Sequence, residues 1–185
     1  MKNLTKQQSR KLILYIASSL DGYIAGTNDD LSFLSTVQTD GEDYGYSIFI
    51  RSIDTVIMGR KTFDWVTKEI SGLPHPDKET YIITRTEKPS IGKTKFYNGN
   101  LKDLVLRLKS EKGKNIFCDG GAEIVNELLN YHLIDEFVIS VIPILLGNGI
   151  KLYMDGRPEQ KLKLLSVKSF ESGLVQFHYK CYNEL

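Results

Sequence analysis

Apolar positions fall into short continuous runs separated by stretches of helical period. KLILYIAS (11–18), TVIM (55–58), TYIIT (80–84), KFY (95–97), NIFC (115–118) and EFVISVIPIL (136–145) are rich in β-forming residues and predict strands. Towards the C-terminus, LKLLSVKSFE (162–171) and LVQFHYKCY (174–182), parted by Ser172-Gly173, read as a β-hairpin. Helical spacing predicts helices over 43–52, 60–69, 101–112 and 122–133. In the third of these, Leu101, Leu104, Val105 and Leu108 recur at i, i+3, i+4 and i+7. Strands that are apolar throughout, alternating with amphipathic helices, predict an α/β sheet covered on both faces, to which the late hairpin adds antiparallel strands. Segments 26–42 and 70–79, the latter holding Pro74 and Pro76, are the longest irregular stretches.

Composition narrows the class. A chain of 185 residues has the size of one domain, read here as spanning 11–185 behind a polar tail, 1–10, that is expected to be disordered. Its 41% apolar and 25% charged residues match globular proteins and exclude coiled coil and collagen. A net charge of +1 gives no basic field for nucleic acid. No apolar run approaches the roughly 20 residues of a membrane span. The core Leu12–Ala17 is too short for a signal peptide, and Asp21 closes it without a cleavage site. Two cysteines, Cys118 and Cys181, make no disulfide framework, so a reduced, cytoplasmic protein is expected. His75, His132 and His178 lack metal-ligand spacing, so no metal is expected.

Candidate chemistry sits at three strand ends. In NIFCDGGAEIVNELL a strand runs into Gly120-Gly121 and then a helix, where unpartnered amides and the helix dipole suit a phosphate; a tight turn with no ligand fits equally well. In TVIMGRKTFDW the helix after Gly59 opens with Arg60, Lys61 and Thr62, cations that oppose the dipole unless an anion lies across them. In TYIITRT the strand ends at Thr84-Arg85-Thr86, the carboxyl end where open α/β sheets bind ligands. Arg60 and Arg85 suit a fork for one phosphate monoester.

With the order and spacing of ASSLDGYIAG (17–26), DTVIMGRKTF (54–63), YIITRT (81–86), residues 116–153 and the terminal hairpin, the chain resembles the dihydrofolate reductase-like superfamily. Within it, the chain is most similar to the C-terminal reductase domain of the bacterial bifunctional riboflavin-biosynthesis deaminase/reductase, over nearly all of 11–182. The resemblance implies a three-layer α/β/α fold with a mixed central sheet, an NADPH cofactor and a homodimer. It implies that Gly59, Arg60, Lys61 and Thr62 contact phosphates. Thr84 and Arg85 would hold the adenosine end with its 2′-phosphate, and Gly120, Gly121, Ala122, Glu123 and Ile124 the pyrophosphate. Ala17 and Ile24 would pack near the nicotinamide, with Asp21 beside the reacting face. The apolar segment EFVISVIPILL (136–146) is long enough to serve a subunit interface as well as a core.

The substrate half departs from the family pattern. Asp43, sixteen residues before Gly59, supplies a carboxylate on the helix expected at 43–52, but the Leu-Pro-Trp that precedes that helix in dihydrofolate reductases is replaced by DDLSFLS. Residues 28–50 carry Asp29, Asp30, Asp40, Glu42 and Asp43 with no Lys or Arg, a poor setting for a phosphorylated ribose. The expected activity is hydride transfer from NADPH to a C=N or C=O of a small heterocyclic substrate, as in the riboflavin-biosynthesis 5-amino-6-(5-phosphoribosylamino)uracil reductases. Asp43 is the first candidate for substrate anchor or proton relay and Asp21 the second. Dihydrofolate reduction, or nucleotide binding without turnover, are the alternatives.

Overall fold

The computed structural model describes residues 10–182. Residues 1–9 of the expected tail lie outside the described residues, and Arg10 does not belong to a tail: it is 5% exposed and bonded into the domain. The elements in chain order are β1 (Leu12–Ser19), β2 (Tyr23–Ala25), α1 (Tyr46–Arg51), β3 (Ile53–Gly59), α2 (Arg60–Glu69), β4 (Glu79–Ile83), β5 (Thr94–Tyr97), α3 (Leu101–Ser110), β6 (Asn115–Gly120), α4 (Ala122–Asn130), β7 (Glu136–Ile142), β8 (Ile150–Lys151), β9 (Leu162–Ser169) and β10 (Val175–Cys181). The main sheet runs β5-β4-β3-β6-β1-β7-β10-β9. Its first six strands are parallel, and the predicted hairpin closes it with β10 and β9 antiparallel. The parallel order brings the carboxyl ends of β1, β3, β4, β5, β6 and β7 to one edge.

Three apolar clusters explain the layers. On one face Leu12, Leu14, Ile57, Ile116 and Cys118 pack against the apolar stripes of α3 and α4. On the other, Val56, Met58, Ile82 and Phe117 meet Phe63 of α2, with Tyr46 and Phe49 of α1 at the margin. A smaller cluster, Phe33, Val37, Ile142 and Leu174, seats the segment after β2 on the sheet. Each fully buried Leu, Ile or Phe contributes roughly 1.5–3 kcal/mol, so strands covered on both faces read as unbroken apolar runs. The three-layer α/β/α arrangement with a mixed sheet is the expected one.

The differences have local causes. EFVISVIPIL ends as a strand at Ile142, because Pro143 has no N–H for the ladder. β7 lies inside the sheet between β1 and β10, so its residues 136–142 belong to the core, while Leu145, beyond Pro143, is 69% exposed. The edge strand β9 also exposes apolar side chains, Leu162, Leu164, Leu165 and Val167, interspersed with Lys163 and Lys168. Lysines of this kind discourage strand addition at an open edge. The helix expected at 43–52 is only Tyr46–Arg51: Gly45, at φ 83°, stands immediately before it, and Asp43 precedes it altogether. Residues 26–42 contain a 3-10 helix, Ser32–Val37, and β2 pairs with β8 in a small separate sheet that no periodicity announced.

Candidate functional site

At the carboxyl edge, the β3–α2 and β6–α4 turns touch. A Cβ on Gly59 would lie 3.3 Å from Cγ1 of Ile124 and 3.6 Å from the Gly121 nitrogen. A Cβ on Gly121 would lie 3.3 Å from Thr62 Oγ1. Gly120 sits at φ +90°, which side chains rarely adopt, and the Gly120–Gly121 peptide is cis. Neither α2 nor α4 carries a side-chain cap, whereas α3 is capped by Asn100 through the Asp103 amide. Two uncapped helix starts therefore lie side by side, and they bring Gly59, Thr62, Gly120, Gly121, Ala122 and Ile124 into one neighbourhood. The geometry suits a pyrophosphate. Lys61 and Glu123 are exposed on the first turns.

The cations are arranged less simply than expected. Arg60 donates from Nε to Asp64 Oδ1 at 2.7 Å, and its guanidinium lies 5.6 Å from the Phe96 ring centre. Lys88, which sequence reasoning passed over, lies 5.9 Å from the same ring. The Thr84 amide donates to Tyr97 O at 3.0 Å, and Thr84 Oγ1 accepts from the Thr86 amide. These contacts fix the end of β4 and leave Arg85 exposed. Arg60, Arg85 and Lys88 thus belong to one region at the ends of β3, β4 and β5. Among the described residues, no group of three or more His, Cys, Asp or Glu stands where it would hold a metal.

Under residues 34–46, over β1 and β7, lies a cleft of about 380 Å³. Ala17 of β1 lines it together with Tyr15, Tyr44, Tyr46, Ser140 and Ile142. Ile24, on β2, packs against the α3–α4 core instead. Gln176 of β10 ties the cleft floor together, its Nε2 lying 3.0 Å from Ser140 Oγ, 3.2 Å from Tyr15 Oη and 3.2 Å from Tyr44 O, with two hydrogens to share among them. Burial raises the Tyr15 phenol above its usual value. Ser140 and Gln176 gave no sequence signal, because they are isolated polar residues within apolar strands.

The carboxylates sort by environment. Asp43 lines the cleft, and its oxygens accept from the Gly45 amide at 2.8 Å and the Ser47 amide at 2.9 Å. Hydrogen bonds from Ser47 and Gly45 hold it below the usual carboxylate range. Asp21 accepts from Ser19 Oγ and from the amides of Leu146 and Gly147, clamping the loop after β7, and these bonds lower it too. Both favour the ionised form, the opposite of what a proton relay needs. Asp119, the last residue before the glycine pair, behaves differently. Its side chain is 24% exposed, with Oδ2 3.9 Å from His75 Nε2. Burial pushes it above the carboxylate range, the His75 contact pulling the other way. Its charge in turn helps raise the Tyr46 phenol of the cleft wall. Cys118, one residue earlier, faces the core, and burial pushes its thiol up to about 12.

Known proteins resemble this chain in sequence and fold. The RibD C-terminal domain family matches residues 10–176. The uncharacterized protein YwjB of Bacillus subtilis (strain 168) is 42% identical over 171 residues, 92% of this chain and 97% of that one. A candidate riboflavin biosynthesis protein from Shewanella sp. PV-4 is 29% identical, with a TM-score of 0.84 over 94% of this chain and 99% of that one. The Thermotoga maritima diaminohydroxyphosphoribosylaminopyrimidine deaminase/5-amino-6-(5-phosphoribosylamino)uracil reductase shares the fold at 15% identity, with a TM-score of 0.70 over 94% of this chain and 57% of that one.

Proposed function

Because this chain belongs to the RibD C-terminal domain family, with a dihydrofolate reductase-like fold, we propose that it is an NADPH-dependent reductase of the riboflavin-biosynthesis type, acting on a C=N or C=O of a small heterocyclic substrate. The observation that carries this reading is the pair of uncapped helix starts, α2 and α4, joined through Gly59 and Gly121 beside the cations at the strand ends. Bound NADPH supplies the hydride; the chain supplies position and a proton. The first amides of α2 and α4 and the Thr62 hydroxyl hold the pyrophosphate. Arg85 meets the 2′-phosphate, joined by Arg60 once it leaves Asp64. Ala17, with its small side chain, lets a flat ring approach β1. Asp43, which lines the cleft and whose hydrogen bonds favour the ionised form, is the substrate anchor in this reading.

The test is nucleotide binding and NADPH oxidation with 5-amino-6-(5-phosphoribosylamino)uracil, its dephosphorylated form and dihydrofolate. Losing one charge-assisted contact costs about 1.5–3 kcal/mol, so Arg85→Ala weakens NADPH by about tenfold or more and leaves NADH nearly unchanged. Equal losses for both nucleotides would remove Arg85 from the site. Binding of NADPH without oxidation by any of the three substrates would favour a nucleotide-binding module. A homodimer and a reducing, cytoplasmic setting belong to the same proposal. Sedimentation velocity reads the first, as a species of about twice the 21.0 kDa chain. The unpaired Cys118 and Cys181 fit the second, and no helix among the described residues is long and apolar enough to cross a membrane.

A further inference from the structure

We propose that the cleft under residues 34–46 takes a flat heterocycle without a phosphate ester, neutral or cationic, and discriminates against the phosphorylated form. The proposal rests on the reductase reading for the site's purpose and concerns what the site admits.

The walls set the chemistry. Glu42 and Asp43 line the cleft, and neither Lys nor Arg does so among the described residues. Both acids are fixed in place: Glu42 Oε1 accepts from the Tyr44 amide at 2.7 Å, and Asp43 accepts from Gly45 and Ser47. The bonds to Asp43 keep it ionised, so neutralisation offers no escape from repulsion. Arg51, the first base after residue 28, turns its Nε back to Ser47 O at 2.9 Å on its own helix and is absent from the lining. Arg85 and Lys88 stand with Arg60 at the ends of β3, β4 and β5 and do not line the cleft.

The same walls suit a ring. Tyr15 is held flat against Phe49, with centroids 4.4 Å apart and planes at 26°, and its hydroxyl donates to Tyr44 O at 3.0 Å. Tyr46 stands edge-on to it at 5.7 Å. Ser140, only 4% exposed, lines the cleft and accepts from Gln176, yet its own proton has no acceptor among the described residues. A ring carbonyl or ring nitrogen in the cleft would take that proton. A phosphate monoester brings about −1.5 to −2 charges with no counter-cation to meet them. Two fixed carboxylates at partly exposed distances are then worth about tenfold or more against it.

The test uses one pair of ligands that differ only in phosphate, 5-amino-6-ribosylaminouracil and its 5′-phosphate. They are titrated calorimetrically into the full chain with and without NADP+, which prevents turnover. The unphosphorylated compound should bind about tenfold tighter or better. Glu42→Gln, which keeps the bond to the Tyr44 amide, should narrow the ratio, and Glu42→Lys should reverse it. Equal binding, a preference for the phosphate, or a ratio that ignores both Glu42 variants overturns the proposal. So does failure of both compounds to bind while NADP+ binds, an outcome that leaves the cofactor reading standing. Failure of NADP+ alone, with the unphosphorylated ligand still preferred, overturns the reductase reading and supports this one.

Discussion

Asp21 and Asp43 attract notice in the sequence because each is an acid beside a turn, and a lone Asp within IFCDGG attracts less. Tertiary contacts reverse the ranking. Backbone amides claim the first two, while Asp119 is drawn into a wall with His75, itself held at the unusual φ of +51°. Part of this is local, since Ser19 is two residues from Asp21 and Ser47 four from Asp43, but the other partners of Asp21 are the amides of Leu146 and Gly147, far along the chain. The raised value at Asp119 sets a pH dependence. Between the unfolded value, about 3.9, and the higher folded one, the folded chain keeps a proton that the unfolded chain has released. The stability this gives is complete below about pH 3.9 and is lost as pH rises through the folded value. Asp119→Asn cannot titrate. Its melting temperature relative to the parent should rise across that window and be nearly level with it at low pH. A difference in melting temperature that is flat with pH would show that Asp119 is not the titrating group.

The glycine turns were legible as elements because strand, glycine and helix follow one another within a few residues. Their contact with each other was not, because it is made between β3–α2 and β6–α4 only when the sheet sets those strands side by side. Gly121→Val puts branched carbon where Thr62 Oγ1 is already 3.3 Å from a Cβ, so it should abolish binding of both NADPH and NADH with circular dichroism unchanged. A folded variant that binds normally would remove the cradle. At Gly120, φ +90° makes any side chain strained, and Gly120→Ala should cost roughly 1–2 kcal/mol in chemical denaturation. Helix α1 is shorter than its apolar spacing suggested because Gly45 bends the chain just before it, and that bend is what frees Asp43 to cap the turn. β2 and β8, three and two residues long, carry too little pattern for any period to register.

Across the whole molecule, Arg10 links elements that the sequence keeps far apart. Its guanidinium meets Asp54, Thr55 Oγ1 at 2.6 Å, Lys114 O at 2.7 Å and Leu108 O at 3.2 Å, tying the start of β1 to β3 and to the end of α3. Asp54 is 38% exposed, so water would rehydrate it if Arg10 were lost. Arg10→Met should therefore cost about 1.5–3 kcal/mol, the size of a charge-assisted hydrogen bond, and less than the removal of one partner from a fully buried pair. A thermal melt unchanged by the substitution would place Arg10 outside the stabilising core. Sequence by itself determined the layer order, the antiparallel hairpin and the two glycine turns, because continuous apolar strands, helical stripes and Gly–helix junctions are written within a few residues of one another. Only the tertiary structure decided that β7 lies inside the sheet, that Arg10 belongs to the domain, that Ser140 lines the cleft beside Gln176, and that Asp119 faces His75. Burial, hydrogen-bond partners and protonation preference arise from groups distant in sequence that the folded sheet brings into contact.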